Sequence, residues 1–256
     1  MRDSFGNASG GRSKAQELAD AINRILLTLV TRCTSGQEVR NYFDIGLVGY
    51  RGDDVESVFQ GTLANRDLVP ISELATAPLR LEDRTRRMPD GAGGTVDEAF
   101  RLPIWLEPVH NGGTPMCKGL GHVASLLRTW VSGHRQSYPP TLIHVTDGES
   151  TDGDPTSVGT ELQKIATDAG PLTFFNLHLS AGRATPVTFP ESEGQLFDGF
   201  AKTLFKISSV LPESIRQEAL ADGYTVTDQS RAFAFNADLV EAVRFLQIGT
   251  RTSVSR

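Results

Sequence analysis

The chain has few cysteines, no long apolar run and no excess of basic residues. Only Cys33 and Cys117 occur among the 256 residues, so we expect free buried thiols in a reducing compartment rather than a disulfide framework. No stretch approaches the roughly 20 apolar residues of a membrane helix, and the polar start has no apolar core of signal-peptide length. The formal net charge of −6 disfavours nucleic acid as a partner. These features predict a cytoplasmic protein that binds neither membrane nor nucleic acid.

The composition is that of a globular protein with a core. Apolar residues make up 39% and charged residues 22% of the chain, which is typical of globular domains. We find no internal repeat and no linker, and therefore predict a single domain over residues 1–256. Residues 81–99 mix charges with proline and glycine, so we expect a mobile surface insertion there. Residues 249–256 are expected to form a polar tail.

Helical and strand patterns alternate along most of the chain. Ser13 has the character of an N-cap, and apolar residues follow at helical spacing as far as Cys33. Apolar, β-branched or aromatic runs predict strands at 42–50, 141–145 and 172–179, with a weaker antiparallel strand at 57–63. Helical patterns follow from Pro115 to Gly133, from Pro155 to Gly170, over 196–209 and 212–221, and after Asn236 as N-cap. This alternation predicts an α/β fold with a mostly parallel sheet and helices on both faces.

Two polar turns carry the candidate chemistry. Thr146, Asp147 and Gly148 follow the strand 141–145 directly, and Gly112-Gly113-Thr114 leads into a helix that Pro115 starts. In open α/β sheets, ligands bind at the carboxyl ends of the strands. The Thr114 hydroxyl and the Asp147 carboxylate are hard oxygen ligands that suit Mg²⁺ or Mn²⁺. Since two ligands do not complete a site, these residues by themselves predict only a partial divalent-cation site.

An enzymatic interpretation stays open beside this one. The carboxylates of Asp147, Glu149 and Asp152 lie within six residues, and in a metal-dependent hydrolase such a group could hold a metal and supply a general base. No histidine joins them by motif, and neither a G-x-S-x-G elbow nor a Walker loop is present. Residues 119–124 match the G-x-G-x-x-A dinucleotide pattern, but they lie inside a helical pattern with no strand before them. We therefore reject a dinucleotide site.

The segments GGTPM (112–116) and TDGEST (146–151) resemble the second and third motifs of a von Willebrand factor type A (VWA) domain of bacterial type. With the first helix and the order of elements, the resemblance covers essentially the whole chain. It implies a Rossmann-like fold and a metal-ion-dependent adhesion site (MIDAS), in which Thr114 and Asp147 bind the metal. It also implies that a partner protein's carboxylate fills the open metal position. We therefore expect a non-enzymatic protein–protein interaction module that uses Mg²⁺ or Mn²⁺.

The chain departs from the VWA pattern at its N-terminal end, where the first strand and its D-x-S-x-S motif are missing. Asp3, Phe5 and Asn7 have that spacing, but Phe5 cannot bind a metal. Met1 resembles the methionine that follows the motif in many members, so we hypothesise a truncated chain that starts internally. In the family this strand is central, and its loss removes about 10 ladder hydrogen bonds at ~1 kcal/mol each. We expect an incomplete metal site and a gap in the sheet between the strands at 42–50 and 141–146.

Overall fold

The fold is described from a computed structural model, which covers residues 13–91, 94–108, 112–179 and 185–250. Its helices are α1 (Lys14–Cys33), α2 (Ile71–Thr76), α3 (Met116–Gly133), α4 (Thr156–Gln163), α5 (Gly199–Ile207), α6 (Glu213–Ala221) and α7 (Leu239–Gly249). Its strands are β1 (Thr34–Ser35), β2 (Glu38–Val39), β3 (Asp44–Ile45), β4 (Val48–Arg51), β5 (Asp54–Ser57), β6 (Val69–Pro70), β7 (Arg80–Pro89), β8 (Thr95–Ile104), β9 (Thr141–Thr146), β10 (Ala166–Thr167), β11 (Gly170–Pro171), β12 (Thr173–Leu179), β13 (Val187–Thr188) and β14 (Phe233–Ala237).

The described chain divides into two compact units. The sheet unit comprises the described residues of 1–15, 50–55 and 110–256, and the hairpin unit comprises those of 16–49 and 56–109. The single domain over residues 1–256 therefore stays a prediction.

A four-stranded sheet organises the sheet unit, in the order β13-β14-β12-β9. Strands β14, β12 and β9 run parallel, and β13 pairs with β14 antiparallel. The register of β9 and β12 runs from Thr141 opposite Thr173 to Thr146 opposite His178. The predicted α/β class with a mostly parallel sheet is confirmed at this level.

Helices cover both faces of this sheet. Side chains alternate between the faces along a strand, so Phe174 and Phe175 point in opposite directions. Phe174 joins a buried cluster with residues of α3, α4 and α5, whereas Phe175 meets Phe245 of α7 edge-to-face at 5.5 Å between ring centroids. Each fully buried phenylalanine stabilises the fold by about 1.5–3 kcal/mol. The apolar run of β12 is therefore explained by burial on both sides.

β9 is an edge strand of this sheet. It pairs with β12, and no other strand of the described residues pairs with it. Leu142, Ile143 and Val145 are half-buried, although they are typical core residues. The expected gap in the sheet beside residues 141–146 stays a prediction. The edge of β9 that faces away from β12 is where that gap would lie.

In the hairpin unit, α1 and a buried tryptophan segment are joined through Asn23. Its amide nitrogen donates to the carbonyl of Leu106 at 3.1 Å, and its oxygen accepts the backbone N–H of Trp105 at 2.8 Å. The indole of Trp105 donates to the carbonyl of Leu74 at 2.7 Å. These bonds satisfy polar groups that burial would otherwise leave costly.

Residues 81–99, predicted to be a mobile surface insertion, form most of a regular hairpin. Strands β7 and β8 pair antiparallel from Arg80 opposite Ile104 to Pro89 opposite Thr95. Both strands are exposed along much of their length, and opposite charges face each other, such as Arg86 and Glu98 at 2.7 Å. Since exposed strands need no apolar alternation, the hydrophobic pattern did not indicate them. Mobility of this segment stays a prediction.

Several predicted boundaries were wrong. The strand expected at 42–50 is divided into β3, which pairs with β6, and β4, which pairs with β5. The expected strand at 57–63 is covered by β5 only to Ser57, and Gly61–Leu63 is a 3₁₀ turn. Helix α4 ends at Gln163 rather than near Gly170, because the β10–β11 hairpin follows.

The C-terminal helix also begins later than predicted. Its N-cap is Asp238, whose side chain accepts the N–H of Glu241, whereas Asn236 lies in β14 with a φ of 56°. Gly249, expected in the polar tail, belongs to α7, and residues 251–256 of that tail lie outside the described part of the chain. Within the described ranges, no helix has the length and apolarity needed to cross a membrane.

Candidate functional site at the carboxyl edge of the sheet

The two polar loops identified from the sequence lie side by side. The N–H of Thr151 donates to the carbonyl of Thr114 at 2.9 Å, and the N–H of Thr114 donates to Thr151 Oγ1 at 3.0 Å. A Cβ placed on Gly148 would lie 3.9 Å from Thr114 Oγ1, so the Thr114 hydroxyl is next to the turn that carries Asp147. We call loops 112–115 and 147–152 together the Asp147 corner.

Small and hydroxylated residues give this corner its shape. Thr146 is 2% exposed; its Oγ1 donates to the carbonyl of Gly148 at 2.7 Å and accepts the N–H of Gly148 at 3.2 Å. This local bond turns the chain as it leaves β9. Gly112 has a φ of 89°, and a Cβ there would lie 2.4 Å from Gly52 Cα. Position 112 therefore requires glycine.

Asp152 caps α3. Its carboxylate accepts the backbone N–H groups of Cys117 and Lys118, each at 2.9 Å, and the hydroxyl of Ser150 at 2.9 Å. Slight burial raises the pKa of Asp152, but these hydrogen bonds outweigh it and the pKa is lowered. The hydrolase interpretation needs Asp152 to share a metal with Asp147 and Glu149. The carboxylate instead satisfies the first turn of a helix, where negative charge is favoured.

A lysine that the sequence analysis did not identify lies beside Asp147. Lys14, the first residue of α1, is 1% exposed, and its Nζ is 4.0 Å from Asp147 Oδ2. The Asp147 side chain is 20% exposed. A signal for this burial was present, because Lys14 is in phase with Leu18 and Ala21 on the apolar stripe of the helix.

His178, near the carboxyl end of β12, interacts electrostatically with both Lys14 and Asp147. Its ring stacks on Phe235 at 4.5 Å between centroids. Burial lowers the pKa of His178, and the positive charge of Lys14 lowers it further, whereas Asp147 and Asp198 act in the opposite direction. Asp198 is also the N-cap of α5 and accepts the N–H of Ala201 at 2.8 Å. The charges of Lys14, Asp147 and Asp198 therefore act together on His178, whose neutral form is favoured.

The described residues fit a directly bound divalent cation poorly. Thr114 and Asp147 offer hard oxygen ligands, but Mg²⁺ requires six in near-ideal octahedral geometry. Among the residues that the structure describes, no three His, Cys, Asp or Glu side chains are placed to hold a metal ion. The Lys14 ammonium also brings positive charge to the same carboxylate. Asp3, Phe5 and Asn7, which have the spacing of the first VWA motif, lie outside the described residues.

Comparisons with known proteins return no relative. No protein-family model, curated protein or solved structure matches this chain. The VWA resemblance therefore stays a prediction that depends on the motif residues.

Proposed function

We propose that this chain is a non-enzymatic protein–protein interaction module of the VWA type, which docks an acidic side chain of a partner protein at the Asp147 corner. One observation carries the proposal: the GGTPM and TDGEST loops meet through the paired hydrogen bonds of Thr114 and Thr151. They meet at the carboxyl end of β9, the edge where parallel sheets bind ligands.

The fold supports the finer assignment in one respect. The sheet is mostly parallel and helices lie on both of its faces, as a Rossmann-like VWA fold requires. Among the described residues β9 pairs with β12 alone, so its other edge has room for the central strand of the family pattern.

Docking of an acidic side chain requires positive charge at the corner. The family pattern assigns that charge to Mg²⁺ or Mn²⁺ bound by Thr114 and Asp147. These two residues fill only part of an octahedral shell, so a bound ion would need further oxygens from outside the described residues.

Site-specific crosslinking tests the docking surface. A photo-reactive residue at exposed Glu149 would be used in cells that naturally produce the chain, in the wild type and in variants Thr114→Ala and Asp147→Asn. The matched control is Asp168→Asn, which removes an exposed carboxylate paired with Arg135 at 3.1 Å, ahead of the amino end of β12. We expect a defined crosslinked partner to be lost in the two corner variants and kept in the control. Equal capture by all four proteins would refute the proposed docking site.

A further inference from the structure

A lysine ammonium is almost entirely withdrawn from water beside Asp147. Lys14 is 1% exposed, and its Nζ lies 4.0 Å from Asp147 Oδ2. Lysine is rarely buried to this extent unless its charge is compensated. Removing one member of such a buried pair is costly, because the other charge is left without its partner. The placement of Lys14 therefore depends on a nearby anion, and Asp147 is one.

The charge of Lys14 also acts on His178. After burial, Lys14 has the largest influence on His178 and lowers the pKa of the imidazole, against the opposing effect of Asp147 and Asp198. These groups come from α1, from the turn after β9, from the end of β12 and from the cap of α5. Lys14 thus lies beside the Asp147 carboxylate and acts on an imidazole whose neutral form is favoured.

The Lys14 ammonium would lie close to any metal ion bound by Asp147 Oδ2. Mg²⁺ binds oxygen at about 2.1 Å, so an ion on Asp147 Oδ2 would lie no more than about 6 Å from Lys14 Nζ. At that separation a divalent cation and an ammonium repel strongly wherever water is largely excluded. We propose that Lys14 is the internal counter-ion of Asp147 and that its ammonium keeps the Asp147 corner free of divalent cations.

The inference deepens the proposed function and rests on it for one consequence. If a partner docks at the Asp147 corner, no divalent cation then bridges the two proteins. Partner crosslinking should then be unchanged by EDTA. A complete absence of crosslinking would defeat the proposed docking, while the Lys14 measurements below would stand independently.

Metal binding to the full 256-residue chain is the first test. Free Mn²⁺ would be followed by electron paramagnetic resonance during titration of the wild type, Lys14→Gln and the double variant Lys14→Gln with Asp147→Asn. The matched control is Lys118→Gln, which removes the same charge from an exposed lysine whose Nζ donates to the carbonyl of Asp53 at 2.7 Å.

Relief of cation repulsion should make Lys14→Gln bind Mn²⁺ about ten-fold or more tightly than the wild type and the Lys118→Gln control. Adding Asp147→Asn should abolish that gain. Wild-type affinity equal to that of Lys14→Gln, or no binding by either, would overturn the proposal.

A metal-free double-mutant cycle tests the ion pair by itself. Urea unfolding would compare the wild type, Lys14→Met, Asp147→Asn and the double variant in EDTA. Methionine keeps the length of the lysine stem and removes its charge. We expect Lys14→Met to raise the equilibrium constant for unfolding less in the Asp147→Asn background than in the wild type, with a coupling of about ten-fold, or about 1.4 kcal/mol. Additive effects would show that Lys14 is not the counter-ion of Asp147.

Discussion

Acid should destabilise the sheet unit through one buried histidine. His144 lies in β9 and is 6% exposed. Its Nδ1 is 2.9 Å from Asn176 Oδ1, while Asn176 Nδ2 donates to Ser208 Oγ at 3.0 Å and that hydroxyl donates to the carbonyl of Leu204 at 2.7 Å. Because the amide nitrogen is committed to Ser208, the amide oxygen faces the ring. Nδ1 of His144 therefore carries a proton and donates it to this oxygen.

The size of the effect follows from the depressed pKa of this ring. Burial lowers the pKa of His144 from 6.5 to about 4, against the opposing effect of the Asn176 hydrogen bond. As the pH falls, the unfolded chain binds its proton first, so stability that is fully present above about pH 6.5 is lost down to about pH 4. One pKa unit corresponds to 1.36 kcal/mol, so the whole contribution is about 3 kcal/mol, of which about 2 kcal/mol is lost between pH 7 and pH 4.5.

Urea unfolding at these two pH values can isolate this contribution. In His144→Asn, the side-chain amide can still donate to Asn176 but no longer titrates, whereas lost ring volume lowers stability at both pH values. We expect the free energy of unfolding of His144→Asn to fall by about 2 kcal/mol less than that of the wild type on acidification. The exposed His134→Asn serves as control and should follow the wild type. If His144→Asn loses as much stability as the wild type, the buried ring is not the cause.

Three further substitutions test the packing of the two units. A Cβ on Gly159 of α4 would lie 2.5 Å from Ile207 Cβ, so Gly159→Ala should lower stability by about 1–3 kcal/mol in thermal unfolding. Gly121→Ala in α3 meets no atom within 4 Å and should stabilise by up to about 1 kcal/mol; the opposite order would contradict this account of the packing. Asn23→Ala removes the acceptor of the backbone N–H of Trp105 and should lower the free energy of unfolding in urea by about 1–3 kcal/mol. An unchanged free energy of unfolding would show that water replaces the amide.

The elements that could be predicted closely are those with a clear apolar pattern. Burial on both faces gives β12 its nearly continuous apolar run. Strand β9 also has an apolar run, although it is half-buried at the sheet edge, and α3 has an apolar stripe at helical spacing. Strand β14 was missed, since its five residues include Asn236 in a left-handed conformation. The β7–β8 hairpin was missed for the opposite reason, because its exposed strands are held by paired charges rather than by an apolar face.

The position of the candidate site could be predicted from the sequence, but the positive charge of Lys14 beside Asp147 could not. Thr114 and Asp147 were expected together because loops after parallel strands share one edge. They do meet, although only the Asp147 loop follows a strand of the parallel sheet, whereas the Thr114 loop follows β8 of the β7–β8 hairpin. The ammonium beside Asp147 comes from a helix whose sequence shows only a single lysine in phase with apolar residues. A motif specifies the ligands that one loop offers, whereas the balance of charge depends on every element that packs against it. For this chain, Lys14 decides whether Asp147 is available to a metal, so the ion-pair measurement should precede any assignment of a cofactor.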